Sequence, residues 1–201
     1  MSIKENVQNI KNNLDNEIIV AATKYVDIFE MEELIKCNIL NFGENKVESF
    51  LKKYEHFKDS VSWHFIGHLQ RNKARKVVNK IDYLHSLDSI ELAEILNKYL
   101  EKPLKCFIQV NISFEEQKSG INPNNLEEFI EKLKKYDKIE IVGLMGMAKD
   151  TDNELEIEES FKLLNSLKKP GMVLSMGMSN DYLIAKKIGT NFVRLGSILF
   201  K

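Results

Sequence analysis

Eight short apolar runs recur along this chain, and stretches with helical period lie between them. The runs are Ile18–Thr23, Ile39–Phe42, Ser62–Ile66, Tyr83–Leu87, Leu104–Ile112, Ile139–Met145, Met172–Met176 and Asn191–Leu195. Runs of this length suit strands buried on both faces, and strands that alternate with helices pair in parallel. Asp27 with Glu30 makes a capping box ahead of Leu34 and Ile35, and Asp88 with Glu91 makes one ahead of Leu92, Ile95, Leu96, Tyr99 and Leu100. Pro123 opens a further helix whose buried face is Leu126, Phe129, Ile130 and Leu133. The segment Ile3 to Leu14 reads as an extra helix before the first strand. Eight β/α units predict an α/β fold, a single (β/α)8 TIM barrel with an extra N-terminal helix, formed as one domain over residues 1–201. An open doubly wound sheet is the alternative, although no GxGxxG or Walker motif follows any of the runs.

Charge and cysteine usage narrow the class. There are 29 basic and 30 acidic residues, a net charge of −1, so no overall field draws the chain to nucleic acid or to an anionic membrane. Cys37 and Cys106 form no CxxC and suggest neither a disulfide framework nor a zinc site. The polar start of the chain lacks a signal-peptide core, and no apolar run reaches membrane-spanning length. A cytoplasmic protein is expected.

A parallel barrel presents its site at the C-terminal ends of its strands. The first strand delivers Lys24 there, after six residues without a charge. A lysine after a strand can be an ordinary solvated charge. If desolvated, its pKa falls, and only the neutral amine attacks an aldehyde. The last two strands lead into Ser175-Met176-Gly177-Met178-Ser179 and Arg194-Leu195-Gly196-Ser197. Barrels often bind phosphate after strands seven and eight, where small residues let backbone N–H groups approach the oxyanion. Arg194 is either a surface charge or points into the mouth beside a bound ring. His64 and His68 have the i, i+4 spacing of a metal pair, but the expected strand and Gly67 argue against that reading. Gln70 to Lys76 is locally basic without interleaved aromatics, as a solvated helix face would be.

The segments IVAATKY, FGENKVESFLKKY, WHFIGHLQRNKARKV, YLHSLDS, FIQVNIS with QKSGI, GLMGM and LSMGMSNDYLIAKKIGTNFVRLGSILF run in order from about residue 18 to 200. Together they resemble the pyridoxal phosphate homeostasis protein family. The resemblance implies a barrel similar to the N-terminal domain of alanine racemase, with pyridoxal 5′-phosphate (PLP) as cofactor. It implies a Schiff base on Lys24, phosphate contacts from Ser179, Gly196 and Ser197, a ring-nitrogen contact from Arg194, and Asn45 against the cofactor. An arginine there keeps its proton, so the ring nitrogen stays largely unprotonated and is a poor electron sink. His68 stands where many members carry proline, and the loops are trimmed.

Two functions follow from the resemblance. One is a non-catalytic PLP binder that stores, buffers or delivers the cofactor, with PLP-dependent apo-enzymes as partners. The other is a racemase-like enzyme. Racemisation on such a barrel takes a second base from a separate domain, which this sequence is not expected to carry, and a missing base costs on the order of 10²–10⁴ in rate. A monomer without nucleic-acid or membrane partners is expected. Nucleic-acid binding through Arg71 to Lys80 is a third reading, which predicts strongly salt-dependent affinity.

Overall fold

The computed structural model describes residues 2–115 and 118–201. Among these, eight parallel strands close into a barrel in sequence order. They are β1 (Ile18–Ala22), β2 (Asn41–Glu44), β3 (Ser62–Phe65), β4 (Tyr83–Leu87), β5 (Leu104–Gln109), β6 (Ile139–Met145), β7 (Val173–Ser175) and β8 (Phe192–Leu195). The helices are α1 (Ile3–Asn13), α2 (Ile28–Lys36), α3 (Val47–Phe57), α4 (Arg71–Ala74), α5 (Ile90–Tyr99), α6 (Leu126–Leu133), α7 (Glu154–Ser166), α8 (Tyr182–Ile188) and α9 (Ser197–Phe200). Closure comes from β1 pairing with β8, with Val20 opposite Arg194 and Ala21 opposite Leu195. The predicted barrel and its extra helix are both present. Ser2 caps α1 with a full capping box, and Asn6 on α1 donates to the carbonyls of Leu199 and Lys201, tying the N-terminal helix to the end of the chain.

Alternation along the strands sorts the side chains into two cores. Ile19, Ala21, Phe42, Trp63, Phe65, Leu84, Ile108, Leu174 and Val193 face the helices. Val20, Phe107, Met145 and Phe192 fill the barrel interior, with Ile66, Tyr83, Val142, Met147 and Val173 against them. In the outer layer Trp63 meets Phe42 and Phe50 edge-on at 5.9 and 5.2 Å, and its indole N–H donates to the Lys58 carbonyl. Each such aromatic pair is worth about 0.5–1.5 kcal/mol beyond its buried area.

Three expectations are corrected. The second strand runs over Asn41–Glu44 rather than Ile39–Phe42. Ile39 gives its N–H to the Leu34 carbonyl at the end of α2, after Asn38 turns the chain at φ 58°, so it is spent on closing the helix. The fifth strand stops at Gln109; Val110 still donates its N–H to the Met145 carbonyl and makes an isolated bridge to Ile121. Helix α5 is capped by Ser89, whose hydroxyl accepts the Leu92 N–H, instead of by Asp88. Asp88 lies 3.5 Å from His68 Nδ1. The predicted Asp27–Glu30 box is present on α2.

Candidate binding site at the barrel mouth

The β8–β1–β2 pairings decide which residues share the mouth. Arg194 lies opposite Val20, and Ala22 lies opposite Gly43. Lys24 follows Ala22 by two residues and Asn45 follows Gly43 by two, so both emerge on the same rim. Gly196 adjoins Ala22, since a Cβ built on it would lie 3.6 Å from the Ala22 Cβ. The two tail turns meet directly: the Gly196 N–H donates to Ser179 Oγ at 3.2 Å. Ser197 begins the single turn of α9 beside them. That one turn is too short for the helix dipole to add much.

Lys24 differs from expectation in its surroundings. The apolar run before it is buried as β1, but Lys24 itself is exposed in the turn that follows. Its ammonium sits 4.6 Å above the centre of the Tyr25 ring. The chain immediately before it is fixed from below. Thr23 is fully buried, and its hydroxyl donates to Glu44 Oε1 at 2.7 Å. Lys53 on α3 donates to the same carboxylate oxygen at 2.6 Å and also to the Thr23 carbonyl. Glu44 is wholly buried, and its other oxygen, Oε2, has no hydrogen-bond partner among the described residues.

Arg194 is the buried counterpart of this exposed amine, only 5% accessible. One terminal nitrogen donates to Ser175 O and Ser175 Oγ, each at 2.7 Å, and the other donates to Gly146 O at 3.1 Å. A guanidinium has five N–H donors, so these bonds leave part of it free to meet an acceptor. Burial lowers its pKa to about 10, opposed by the charge of Asp181. It therefore stays cationic at neutral pH. Asp181 receives the Met178 N–H, and burial raises its carboxyl above the usual range, against the pull of that N–H and of Arg194.

Two glycines shape the rim. Gly177 has φ +94°, and a Cβ there would fall 2.7 Å from the Ala185 Cβ, so only glycine brings the Ser179 turn back toward Gly196. A Cβ on Gly67 would lie 2.4 Å from the Asn45 carbonyl oxygen, so the loops after β2 and β3 touch through backbone. Asn45 itself is half-buried.

Of the other candidates, His64 faces the barrel interior while His68 is exposed, so the pair does not converge. The basic segment carries exposed Arg71, Arg75 and Lys76, with Ala74 its buried contact. Among the described residues no helix is long and apolar enough to cross a membrane. Sequence reasoning named Ser175 only as the start of a tail turn and missed its part, with those of His85, Lys53 and Glu44, in the site's support. Ser175 and His85 carried a usable signal: they are polar residues at inward positions of otherwise apolar strands.

The mouth thus offers a primary amine that can add to a carbonyl, hydroxyl and backbone N–H groups suited to an oxyanion, and a fixed cation suited to a ring acceptor. A closed parallel barrel with this arrangement is of the alanine racemase type, and the family model described as "Alanine racemase, N-terminal domain" matches residues 1–201. Curated relatives narrow it further. The pyridoxal phosphate homeostasis protein of Aquifex aeolicus is 35% identical over 90% of this chain and 85% of its own. That of Helicobacter pylori is 38% identical over 91% and 86%. The chain belongs to the pyridoxal phosphate homeostasis protein family. Among solved structures, PipY of Synechococcus elongatus with PLP bound superposes with a TM-score of 0.91 at 29% identity, covering 100% of both chains. The alanine racemase of E. faecalis has a TM-score of 0.80 at 14% identity, and this chain spans 57% of it, a likeness of fold alone.

Proposed function

We propose that this protein binds PLP at the barrel mouth and serves intracellular PLP homeostasis by storing, buffering or delivering the cofactor, without catalysing a reaction of its own. The residues fit the ligand group by group. The Lys24 amine condenses with the aldehyde, releasing water and holding the cofactor as a Schiff base. Ser179, Gly196 and Ser197 take the phosphate, Arg194 faces the ring nitrogen, and Asn45 lies against the ring. The observation that carries the reading is the β8–β1 pairing, which sets Arg194 and the joined Ser179–Gly196 turn beside the strand that leads to Lys24. PLP bound to PipY, which has the same fold over the full span of both chains, supports it.

The non-catalytic reading is supported at the ring: an arginine at the ring nitrogen keeps its proton and weakens the ring as an electron sink.

Borohydride reduction of the PLP-loaded protein followed by peptide mapping tests the reading. Label is expected on Lys24, and Lys24→Ala should lose it while keeping some phosphate-anchored binding. An equal reduced adduct elsewhere in the variant would show that Lys24 is the wrong residue. Rapid turnover of a free amino acid by the pure protein would replace the homeostasis role with an enzymatic one.

A further inference from the structure

Arg194 heads a continuous buried hydrogen-bond chain that runs through the barrel interior to its opposite end. Ser175 Oγ, which accepts from Arg194, lies 2.9 Å from His85 Nδ1. His85 Nε2 lies 2.9 Å from His64 Nδ1, and His64 Nε2 lies 3.1 Å from Asn41 Oδ1. Asn41 lines a cleft of about 370 Å³ at the N-terminal end of the barrel. Both imidazoles are fully buried and clamped by flat stacking. His64 lies on Tyr83 with centroids 4.5 Å apart, and His85 lies on Phe107 at 4.4 Å.

The donor direction of every bond follows from the arginine. A guanidinium can only donate, so Ser175 Oγ accepts from it and must place its own proton elsewhere. The remaining partner within reach is His85 Nδ1, which therefore accepts. His85 then carries its proton on Nε2 and donates to His64 Nδ1. His64 in turn carries its proton on Nε2 and donates to the Asn41 carbonyl oxygen. Both rings are neutral, since desolvation holds the His64 pKa near 3 and burial keeps His85 well below its ordinary value, with the Arg194 charge, and any proton gained by His64, acting in the same direction. The opposite tautomers would leave the buried Ser175 hydroxyl proton without an acceptor among the described residues. Bonds aligned head to tail in this way polarise and strengthen one another.

We propose that His85 and His64 are positioning residues for Arg194: their shared tautomer locks the Ser175 hydroxyl as an acceptor, fixes the plane of the guanidinium, and so aims its free N–H donors at the mouth. The link to a bound pyridine ring rests on the function proposed above; the relay itself does not.

Long-range ¹H–¹⁵N correlation on the apo protein at pH 7 tests the relay without any substitution. Both rings are expected as neutral Nε2–H tautomers, and an Nδ1–H pattern at either would overturn it. His85→Phe keeps the stack on Phe107 but removes the acceptor, so exchange of the Arg194 guanidinium protons should quicken about tenfold. His85→Gln can accept from Ser175 and donate to His64, and should stay near the wild-type rate. Equal exchange in the two variants would reduce His85 to packing. Should the Phe variant fail to fold, Ser175→Ala gives the same comparison, and an unchanged Arg194 exchange rate would again refute the proposal. With PLP added, the absorption band is expected to move in His85→Phe and to hold in His85→Gln; a band unmoved in both would cut the link to the ring. Wild-type protein with both Nε2–H rings that traps no PLP on Lys24 would sink the proposed function and leave the relay standing.

Discussion

Lys53→Met should be among the most damaging single changes to this protein that leave the apolar cores intact. Lys53 pairs at 2.6 Å with Glu44, whose side chain is wholly buried and already has one oxygen unpartnered. Removing the ammonium leaves a buried carboxylate held only by the Thr23 hydroxyl, and strips a donor from the Thr23 carbonyl. Breaking a buried pair on one side costs about 3–5 kcal/mol, because the stranded charge keeps its desolvation penalty. With a urea slope of about 2 kcal/mol/M, the unfolding midpoint should fall by roughly 2 M. Trp63, the single tryptophan, is packed between Phe42 and Phe50 on the neighbouring elements and reports the transition by fluorescence. Glu44→Gln in the same background removes the stranded charge and should recover at least half of the loss. A Lys53→Met variant destabilised by less than about 1 kcal/mol, or a double variant no better than the single, would refute the argument that the pair acts as a buried unit.

Ser179→Ala combined with Ser197→Ala should weaken PLP binding more than pyridoxal binding, measured by titration of each ligand; equal losses would remove the phosphate assignment. Stability should also depend on pH through the buried histidines. An unfolded histidine titrates near 6.5, whereas His64 is held near 3 and His85 well below its ordinary value, chiefly by desolvation. Between those values the unfolded chain binds protons that the folded chain refuses. The stabilisation is therefore complete above about pH 6.5 and is lost as pH falls toward 3, at up to about 1.4 kcal/mol per pH unit for each ring. NMR titration of the folded protein checks this directly, and a His64 or His85 ring that charges above pH 6 would contradict it.

The barrel was legible because its evidence is repeated: eight apolar runs with helical stretches between them leave few alternatives, and the errors fell at ends. Ile39 looked like strand because it is apolar, yet its N–H belongs to the close of α2. Glu44 fell outside the expected second strand, which ended at Phe42, yet it continues β2 in a buried position that Lys53, nine residues on, and the Thr23 hydroxyl make tolerable. Such pairings depend on tertiary placement, which no local pattern encodes. The rim residues Lys24, Arg194, Gly196 and Ser179 were legible by position, as residues at strand ends. Their environments were not: the apolar flank of Lys24 suggested desolvation, but the strand takes the burial and the turn leaves the amine in water. His85 and Ser175 could be read only by alternation, as polar residues at inward positions, and their link to Arg194 appears only when β4, β7 and β8 share one interior.

The contrast between Lys24 and Arg194 bears on carrier against enzyme. The groups proposed for recognition are held in place: the guanidinium is buried and makes three hydrogen bonds, to Ser175 O, Ser175 Oγ and Gly146 O, and the Ser179 and Gly196 turns are joined. The group proposed to bind covalently is exposed on a turn whose preceding residue, Thr23, is pinned by Glu44 and Lys53. A catalytic amine gains from a dry, enclosed setting in which proton transfers are directed and water is excluded. An amine left in solvent gains none of this, but it can be reached by an incoming amine, which would exchange with it and release the cofactor. On the proposed reading, discrimination for PLP therefore resides in the buried half of the site and exchange in the exposed half. Neutral substitutions of Tyr25, whose ring packs on the Lys24 ammonium, should then alter the rate at which PLP passes to an apo-enzyme more than its affinity. Stopped-flow transfer compared with equilibrium titration of Tyr25→Ala measures both, and an affinity loss larger than the change in transfer rate would place Tyr25 in recognition and defeat the division.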